Sequence, residues 1–407
     1  MRLGCHTIRP AAIAALAGLA SLGVTLEANA DPIKTVFVIA MENHNFTQPA
    51  TQSSPPQIFA NPAAPYINSL ITPGNPNAAQ TSYATNYQNV GTGIHPSEPS
   101  YLWAEGGSNF GVLNDNEPFR VPGGTNQATA SSLSNNLQQT GHTWKSYQED
   151  TDINTATNTV LPQNQWTVPL KNVSGTQAGY MNEYNGSHQF DYAAKHNPEV
   201  FFSSTNGGND ATPSNPLAKN YAPLQQLKTD LANNTVANYN WITPDQFNDQ
   251  HTALANGFDY LGTHFTGAQA AIAQGDNFLS ILVPMIMASD AYKDDGAIVL
   301  WWDETEGGDD PSRTIPEIII SPDAKGNAYT NNIKYTHSSD LWTMQEIFNA
   351  GPCLLDACNA TDLSDLFVAD SIPVGVPEPA PLSLLGIGLI GMLGARRKFR
   401  LDRYPNK

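Results

Sequence analysis

The sequence predicts an α/β fold of three layers, a mostly parallel central sheet with helices on both faces. Strand-like and helix-like segments alternate along the chain, the order that arises when parallel strands are joined by crossover helices. Two segments, TVFVIAM (35–41) and GAIVLWW (296–302), are apolar on successive residues, as strands buried on both faces must be. Both stop abruptly on polar groups: the first on Glu42, Asn43, His44 and Asn45, the second on Asp303 and Glu304. Open α/β sheets hold ligands beyond the carboxyl ends of their strands, so these two ends mark the edge of a candidate site. A chain of 407 residues with 40% hydrophobic content has room for two or three domains or for one large one.

After the first strand, residues 47–85 are rich in Pro, Asn, Gln and Ser and read mainly as loop, with a short helix near Tyr66 to Leu70. Ser97 precedes a helix starting near Pro99. SSLSNNLQQTG (131–141) is helical and stops at Gly141, which suits the left-handed residue past a helix end. HTWKSYQED follows as a strand or turn, and PEVFFSST (198–205) reads as a strand. LQQLKTDLAN (224–233) is an amphipathic helix, and VANYNWITP (236–244) is a strand ended by Pro244. GDNFLSILVPMIMASDAY (275–292) is a long helix interrupted or kinked at Pro284. IPEIIISP (315–322) is a further strand, and SSDLWTMQEIFNAG (338–351) a helix capped by Ser338 or Ser339. Between the two chain ends there is no internal repeat and no long low-complexity block.

The ends carry targeting signals. Arg2 and Arg9 precede an apolar stretch from Ala11 to Leu26, and Ala28-Asn29-Ala30 is a small-x-small cleavage site. Residues 1–30 therefore read as a secretory signal peptide, cut before Asp31. At the other end come Pro377-Glu378-Pro379, an apolar run from about Leu382 to Ala395, and the basic cluster Arg396, Arg397, Lys398 and Arg400. The run is shorter than the ~20 residues of a comfortable membrane helix. Its basic end fits retention on the cytoplasmic side. This order of parts resembles the PEP-CTERM sorting signal of Gram-negative bacteria. The resemblance implies a tail (373–407) that anchors the chain transiently in the inner membrane. An exosortase-type enzyme then cleaves it and leaves the protein in the cell envelope or outside the cell. An ordinary membrane anchor is the alternative.

Composition agrees with export. Charged residues make up only 14%, among abundant polar uncharged residues, Gly and Pro. The formal charge of −18 argues against nucleic acid as a partner, because phosphate backbones are held by Lys and Arg. Cys5 leaves with the signal peptide, so Cys353 and Cys358 are expected to pair as a local disulfide. A thiolate metal site lacks the further cysteines that would complete it.

In a parallel sheet the two polar strand ends lie on the same side, so Glu42, Asp303 and Glu304 can converge. Three carboxylates together repel unless a cation neutralises them, and such an oxygen-rich set suits Mg²⁺, Ca²⁺ or Mn²⁺, with Zn²⁺ possible if histidine assists. Ser97, near a helix start, sits where free backbone N–H groups accommodate a phosphate and where a hydroxyl can act as nucleophile; simple N-capping is its structural alternative. TPDQFNDQH (243–251) offers Asp245, Asp249 and His251 after a strand, and Asp-x-His can place two ligands on one metal. KYTHSSD (334–340) offers His337 just before a helix.

The ordered set ENHNF, PSEPSYL, NPEVFF, ITPDQFNDQH, LWWDE and YTHSS, spread over residues 35–350, resembles the acid phosphatase/phospholipase C phosphoesterase family. The resemblance implies an alkaline phosphatase-like fold for a domain over 31–372 and a divalent metal cofactor, one ion or two. It implies that Glu42, Asp303 and Glu304 ligate metal, that Asn43 holds the substrate phosphate, and that Ser97 is the nucleophile and touches the metal. Asp249, His251 and His337 match positions that bind a second metal in two-metal relatives, and that grip phosphate or assist the leaving group in one-metal relatives. One ion is the preferred expectation. Ser100 stands where many relatives have Asn, and TEGGDDPSR after Glu304 lacks the longer pattern of the phospholipase branch. Both departures point to a phosphatase-like member acting on a phosphorylated small molecule or lipid. A sulfatase is disfavoured, since the Cys-x-Pro-x-Arg signature is missing. The alternatives are a phospholipase C-type phosphodiesterase and a non-catalytic surface or matrix protein. The second of these predicts loss of at least one of Glu42, Ser97, Asp303 and Glu304.

Overall fold

A computed structural model describes residues 32–118 and 127–373; the signal peptide, the sorting tail and its apolar run lie outside the described residues. Eight strands form the main sheet: β1 (Thr35–Met41), β2 (Thr81–Ala84), β3 (Trp144–Gln148), β4 (Tyr221–Pro223), β5 (Tyr239–Thr243), β6 (Gly296–Trp302), β7 (Glu317–Ile320) and β8 (Tyr329–Asn331). Their order across the sheet is β8-β2-β7-β6-β1-β5-β3-β4. Only β7 runs against its neighbours, β6 and β2; every other pairing in this sheet is parallel. Every residue of β6 and all of β1 except Thr35 are buried, which is why both strands are apolar on successive residues instead of alternating.

The main helices are α1 (Pro65–Leu70), α2 (Ser97–Gly106), α3 (Leu133–Thr140), α4 (Gln225–Asn233), α5 (Ala268–Met287) and α6 (His337–Phe348). Helices α2, α3 and α6 pack on one another in one layer, and α1 packs on α5 in another. The result is the three-layer α/β/α arrangement. Among the described residues α5 alone is long and apolar enough to cross a membrane, but it is mostly buried and serves as a core helix.

Several local readings need correction. Residues Pro198–Phe201 form a 3₁₀ turn and Ser203–Asn206 a helical turn, not a strand; only Phe202 makes an isolated bridge, to Ala128. Val200, Phe201 and Phe202 are fully buried, so this short apolar run reports core burial without a ladder. Helix α5 starts at Ala268 and continues through Pro284 to Met287. Helix α6 is capped by Thr336, whose side chain accepts from Ser339 N while the Ser339 hydroxyl accepts from Thr336 N, a reciprocal capping box. The short strands β2 and β4 fall in segments whose polar flanks gave no strand signal. Cys353 and Cys358 are disulfide-bonded, with Cα atoms 5.4 Å apart.

Candidate active site

In the β1–β6 ladder Met41 lies opposite Trp302, so Glu42 and Asp303 leave the sheet side by side. Asn43 turns the chain with φ 53°, a left-handed conformation that asparagine tolerates, and its N–H donates to Asp303 Oδ1 at 2.8 Å. Strand β5 flanks β1 on the other side, and the loop beyond it brings up Asp249, whose main-chain carbonyl accepts from Glu42 N at 2.8 Å. Glu42, Asp249 and Asp303 are all fully buried.

Ser97 is the first residue of α2, one position beyond the N-cap residue Pro96, and no side chain caps the helix. Its hydroxyl instead donates to Glu42 Oε2 at 3.0 Å and lies within hydrogen-bonding reach of Asp303. The capping alternative for Ser97 therefore does not describe this geometry. Tyr101, one turn along α2, donates to Glu42 Oε1 at 2.6 Å, and Asn43 Nδ2 donates to Glu42 Oε2 at 2.9 Å.

Two residues that the sequence reading missed complete the centre, Lys195 and His196 on a 3₁₀ turn (Ala194–His196). The buried His196 ring lies stacked on Tyr101, with Nε2 3.2 Å from Glu42 Oε1 and Nδ1 3.1 Å from Asp249 Oδ2. Lys195 Nζ donates to Asp115 Oδ2 at 3.1 Å and to His251 Nε2 at 3.2 Å. The available signal was the pair Lys-His directly before NPEVFF, a cation and an imidazole adjoining a segment already matched to the family.

The remaining candidates separate. The Glu304 carboxylate is paired with His95 Nδ1, while His95 Nε2 meets Asp309 Oδ1 at 2.7 Å. These two carboxylates, Glu304 first, push His95 up to about 9. His337 does not join Asp249 and His251: its Nε2 donates to the Asp303 main-chain carbonyl at 2.5 Å and its Nδ1 meets the Tyr87 hydroxyl at 2.6 Å. With both ring nitrogens engaged, His337 stands as a support behind Asp303. His44 turns back to the main-chain carbonyl of Glu42, 3.1 Å from its Nδ1. Asp245 Oδ1 accepts from Phe247 N and Asn248 N and so closes its own turn. Asp245 also belongs to a second buried acidic group, with Glu149 and Asp150, whose oxygens take hydrogen bonds from Asn182, Asn248, Tyr180 and main-chain amides.

Burial, then repulsion among the carboxylates, raises Glu42 well above the usual carboxylate range; burial likewise dominates at Asp249 and lifts Asp303 to about 7. Burial lowers His251 to about 4 and holds His196 well below its ordinary value. His196 Nε2, Asp249 Oδ2 and Asp303 Oδ2 are all buried without a hydrogen-bond partner. Glu42, His196 and His251 offer ligand atoms within 4.8 Å of one another. The Glu42, Asp249 and Asp303 oxygens together with the His196 nitrogen fit a divalent cation. His251 Nε2 can serve Lys195 or a cation, but not both.

The model of the Phosphoesterase family matches residues 77–351, more than half of the chain. The chain belongs to the phosphoesterase family. This match includes Ser97, Lys195, His196, Asp249 and Asp303 and begins after Glu42. A second model, the PEP-CTERM protein-sorting motif, matches residues 375–398. The phosphoesterase is similar to an acid phosphatase of Aspergillus fumigatus, 29% identical over 43% of this chain and 31% of that one. It is also similar to a phosphate-repressible acid phosphatase of Penicillium chrysogenum, 28% identical over 63% of this chain and 49% of that one. The match thus spans about three tenths to a half of these acid phosphatases. A phosphatidylinositol-3-phosphatase of Mycobacterium tuberculosis is 25% identical over 84% of this chain and 86% of its own. Among solved structures, an alkaline phosphatase superfamily protein from Vibrio parahaemolyticus aligns at 11% identity and TM-score 0.44, covering 83% of this chain and 72% of that one.

Proposed function

We propose that this phosphoesterase is an exported, metal-dependent hydrolase of phosphomonoesters that works through a phosphoserine at Ser97. The observation that carries the reading is the Ser97 hydroxyl, at the start of α2, hydrogen-bonded to the buried Glu42 carboxylate beside Asp303. Glu42, Asp249, Asp303 and His196 are the residues that would hold a divalent cation. Such an ion supplies charge neutralisation for the carboxylates and for the phosphoryl group.

Ser97 Oγ attacks phosphorus in line, forming a new P–O bond as the bond to the substrate alkoxide breaks; water then hydrolyses the phosphoserine and releases inorganic phosphate. The Ser97 O–H already points its proton at Glu42. Asn43, partly exposed at the strand end, presents its side-chain amide to the phosphoryl oxygens. His95, raised to about 9 by Glu304 and then Asp309, places a positive charge beside Glu304, the residue after Asp303. The relative named as a phosphatidylinositol-3-phosphatase, aligned over most of both chains, supports a monoester and admits a phosphorylated lipid as substrate. Glu42, Ser97, Asp303 and Glu304 are all intact, which argues against a non-catalytic matrix role. The sorting motif supports export followed by exosortase processing of the C-terminal tail; the N-terminal signal peptide would be removed before Asp31.

The test is turnover of aryl phosphate monoesters and diesters by the wild type and Ser97→Ala across a series of divalent ions, with intact-mass detection of an acid-quenched phosphoenzyme. Monoester turnover should fall by roughly 10³-fold or more in Ser97→Ala, with no phosphoenzyme and little change in melting temperature. A folded variant with wild-type turnover removes Ser97 from the mechanism.

A further inference from the structure

We propose that Lys195 and the main-chain N–H of Glu98 form the phosphate grip of this site, and that the Asp115 carboxylate occupies the grip until a phosphoryl group displaces it. This rests on the phosphoesterase reading and adds residues to it. Asp115 sends one oxygen to each partner: Oδ1 accepts from Glu98 N at 3.1 Å and Oδ2 from Lys195 Nζ at 3.1 Å. A carboxylate bridging a helix N-terminal amide and an ammonium stands in for two non-bridging oxygens of a phosphoryl group. The amide belongs to the residue directly after Ser97, so an anion held there lies beside the nucleophile. The N-terminal end of a ten-residue helix, with its partial positive charge, favours that anion.

Lys195 is anchored for this role. Its turn continues into His196, which reaches Glu42 and Asp249, and its Nζ makes a second bond to His251 Nε2 at 3.2 Å. Because Lys195 takes the His251 lone pair, the chain itself provides the positive charge that a second metal ion would bring. One divalent ion per chain follows. The Asp115 side chain keeps 29% of its surface exposed, against 13% for Lys195, so it can exchange its two bonds for water when a more highly charged anion arrives.

The experiment is calorimetric titration of inorganic phosphate into the metal-loaded full chain as wild type, Lys195→Met, Lys195→Arg and Asp115→Asn. Melting temperature and metal content are read on each sample. Lys195→Met should weaken phosphate binding about 10-fold to 100-fold, the range for losing a hydrogen bond to a charged group. Lys195→Arg should recover part of that loss, and Asp115→Asn should bind phosphate several-fold more tightly, since the resident anion is neutralised. Should Lys195→Met not fold, the Arg and Asn variants still decide. Unchanged phosphate affinity in a folded Lys195→Met, weaker binding in Asp115→Asn, or two ions per chain overturns the inference. Loss of turnover in Ser97→Ala together with unchanged affinity in Lys195→Met leaves the phosphoesterase reading standing and removes this one alone.

Discussion

Glu42 accepts hydrogen bonds from Ser97, Tyr101 and Asn43 while sharing a buried volume with Asp249 and Asp303. Glu42→Gln keeps the shape and removes one charge, so the chelator-treated protein should melt higher while divalent-ion affinity and turnover fall. Isothermal titration with the ion decides; unchanged affinity would take Glu42 out of the ligand set. At His337 the expectation is the reverse. Its ring packs on Trp301 at 4.6 Å and bonds Tyr87 and the Asp303 carbonyl, so His337→Ala should lower stability by about 3 kcal/mol while leaving the ion count unchanged. Elemental analysis showing loss of an ion in the folded variant contradicts that. Glu42, Asn43, Ser97 and Asp303 were legible in the sequence because each stands where an apolar strand or a helix begins or ends. Lys195, His196 and Asp115 were not, because they sit on a 3₁₀ turn and a loop, where no periodic pattern marks which side chains face inward.

Among the elements, α2 links the site to the far side of its helical layer. Its start carries Ser97, and its end, Gly107, takes φ 71° against the Leu354 carbonyl, where an added Cβ would lie 2.4 Å from that oxygen. Trp103 Nε1 donates to Ser338 Oγ at 2.7 Å, and Ser338 donates to Asp356 Oδ2 at 2.6 Å, so the stapled loop 353–358 is tied to α2 and α6 together. The disulfide closes a short loop, so the chain-entropy model gives about 2 kcal/mol of stabilisation. Replacing Cys353 and Cys358 by serine should lower the melting temperature by that modest amount and leave turnover largely intact. Activity lost at unchanged stability would show that the staple positions Ser97 through α2. The central strands β1, β5 and β6 and the helices α3, α4 and α6 could be read from hydrophobic period and stop signals. The strands β2 and β4 could not, because each is too short to show a period. At Pro284 the helix α5 continues without interruption, since tertiary burial outweighs the bond that proline removes.

At the scale of the whole molecule, buried acids set how stability responds to pH. Burial raises Glu105 to about 7, Asp303 to about 7, Asp340 to about 7 and Glu149 to about 8. Burial also lowers His44, His251 and His337 to about 4. A carboxyl with a raised native pKa binds a proton that the unfolded chain has already lost, so its stabilisation is complete at low pH and disappears as pH rises through 7 or 8. A histidine with a lowered native pKa acts oppositely, and its contribution is lost as pH falls from 6.5 towards 4. Below 6.5 the buried carboxyls and these histidines therefore oppose each other, and between 6.5 and 8 the carboxyls act together with His95, raised to about 9, whose stabilisation is lost in the same direction. The chelator-treated protein should melt progressively lower across that upper window. The formal charge of −18 adds surface repulsion of the same sign, but salt screens exposed charges while leaving buried ones largely untouched. Scanning calorimetry in about 0.5 M salt isolates the buried part, since the Debye length there is well under ~8 Å. Divalent ion should reduce the slope without abolishing it, because it neutralises the cluster at Asp303 and leaves Glu105, Glu149 and Asp340 as they are. A melting temperature that stays level or climbs over this window in the chelated, high-salt protein would mean that these carboxyls do not hold their protons in the native state.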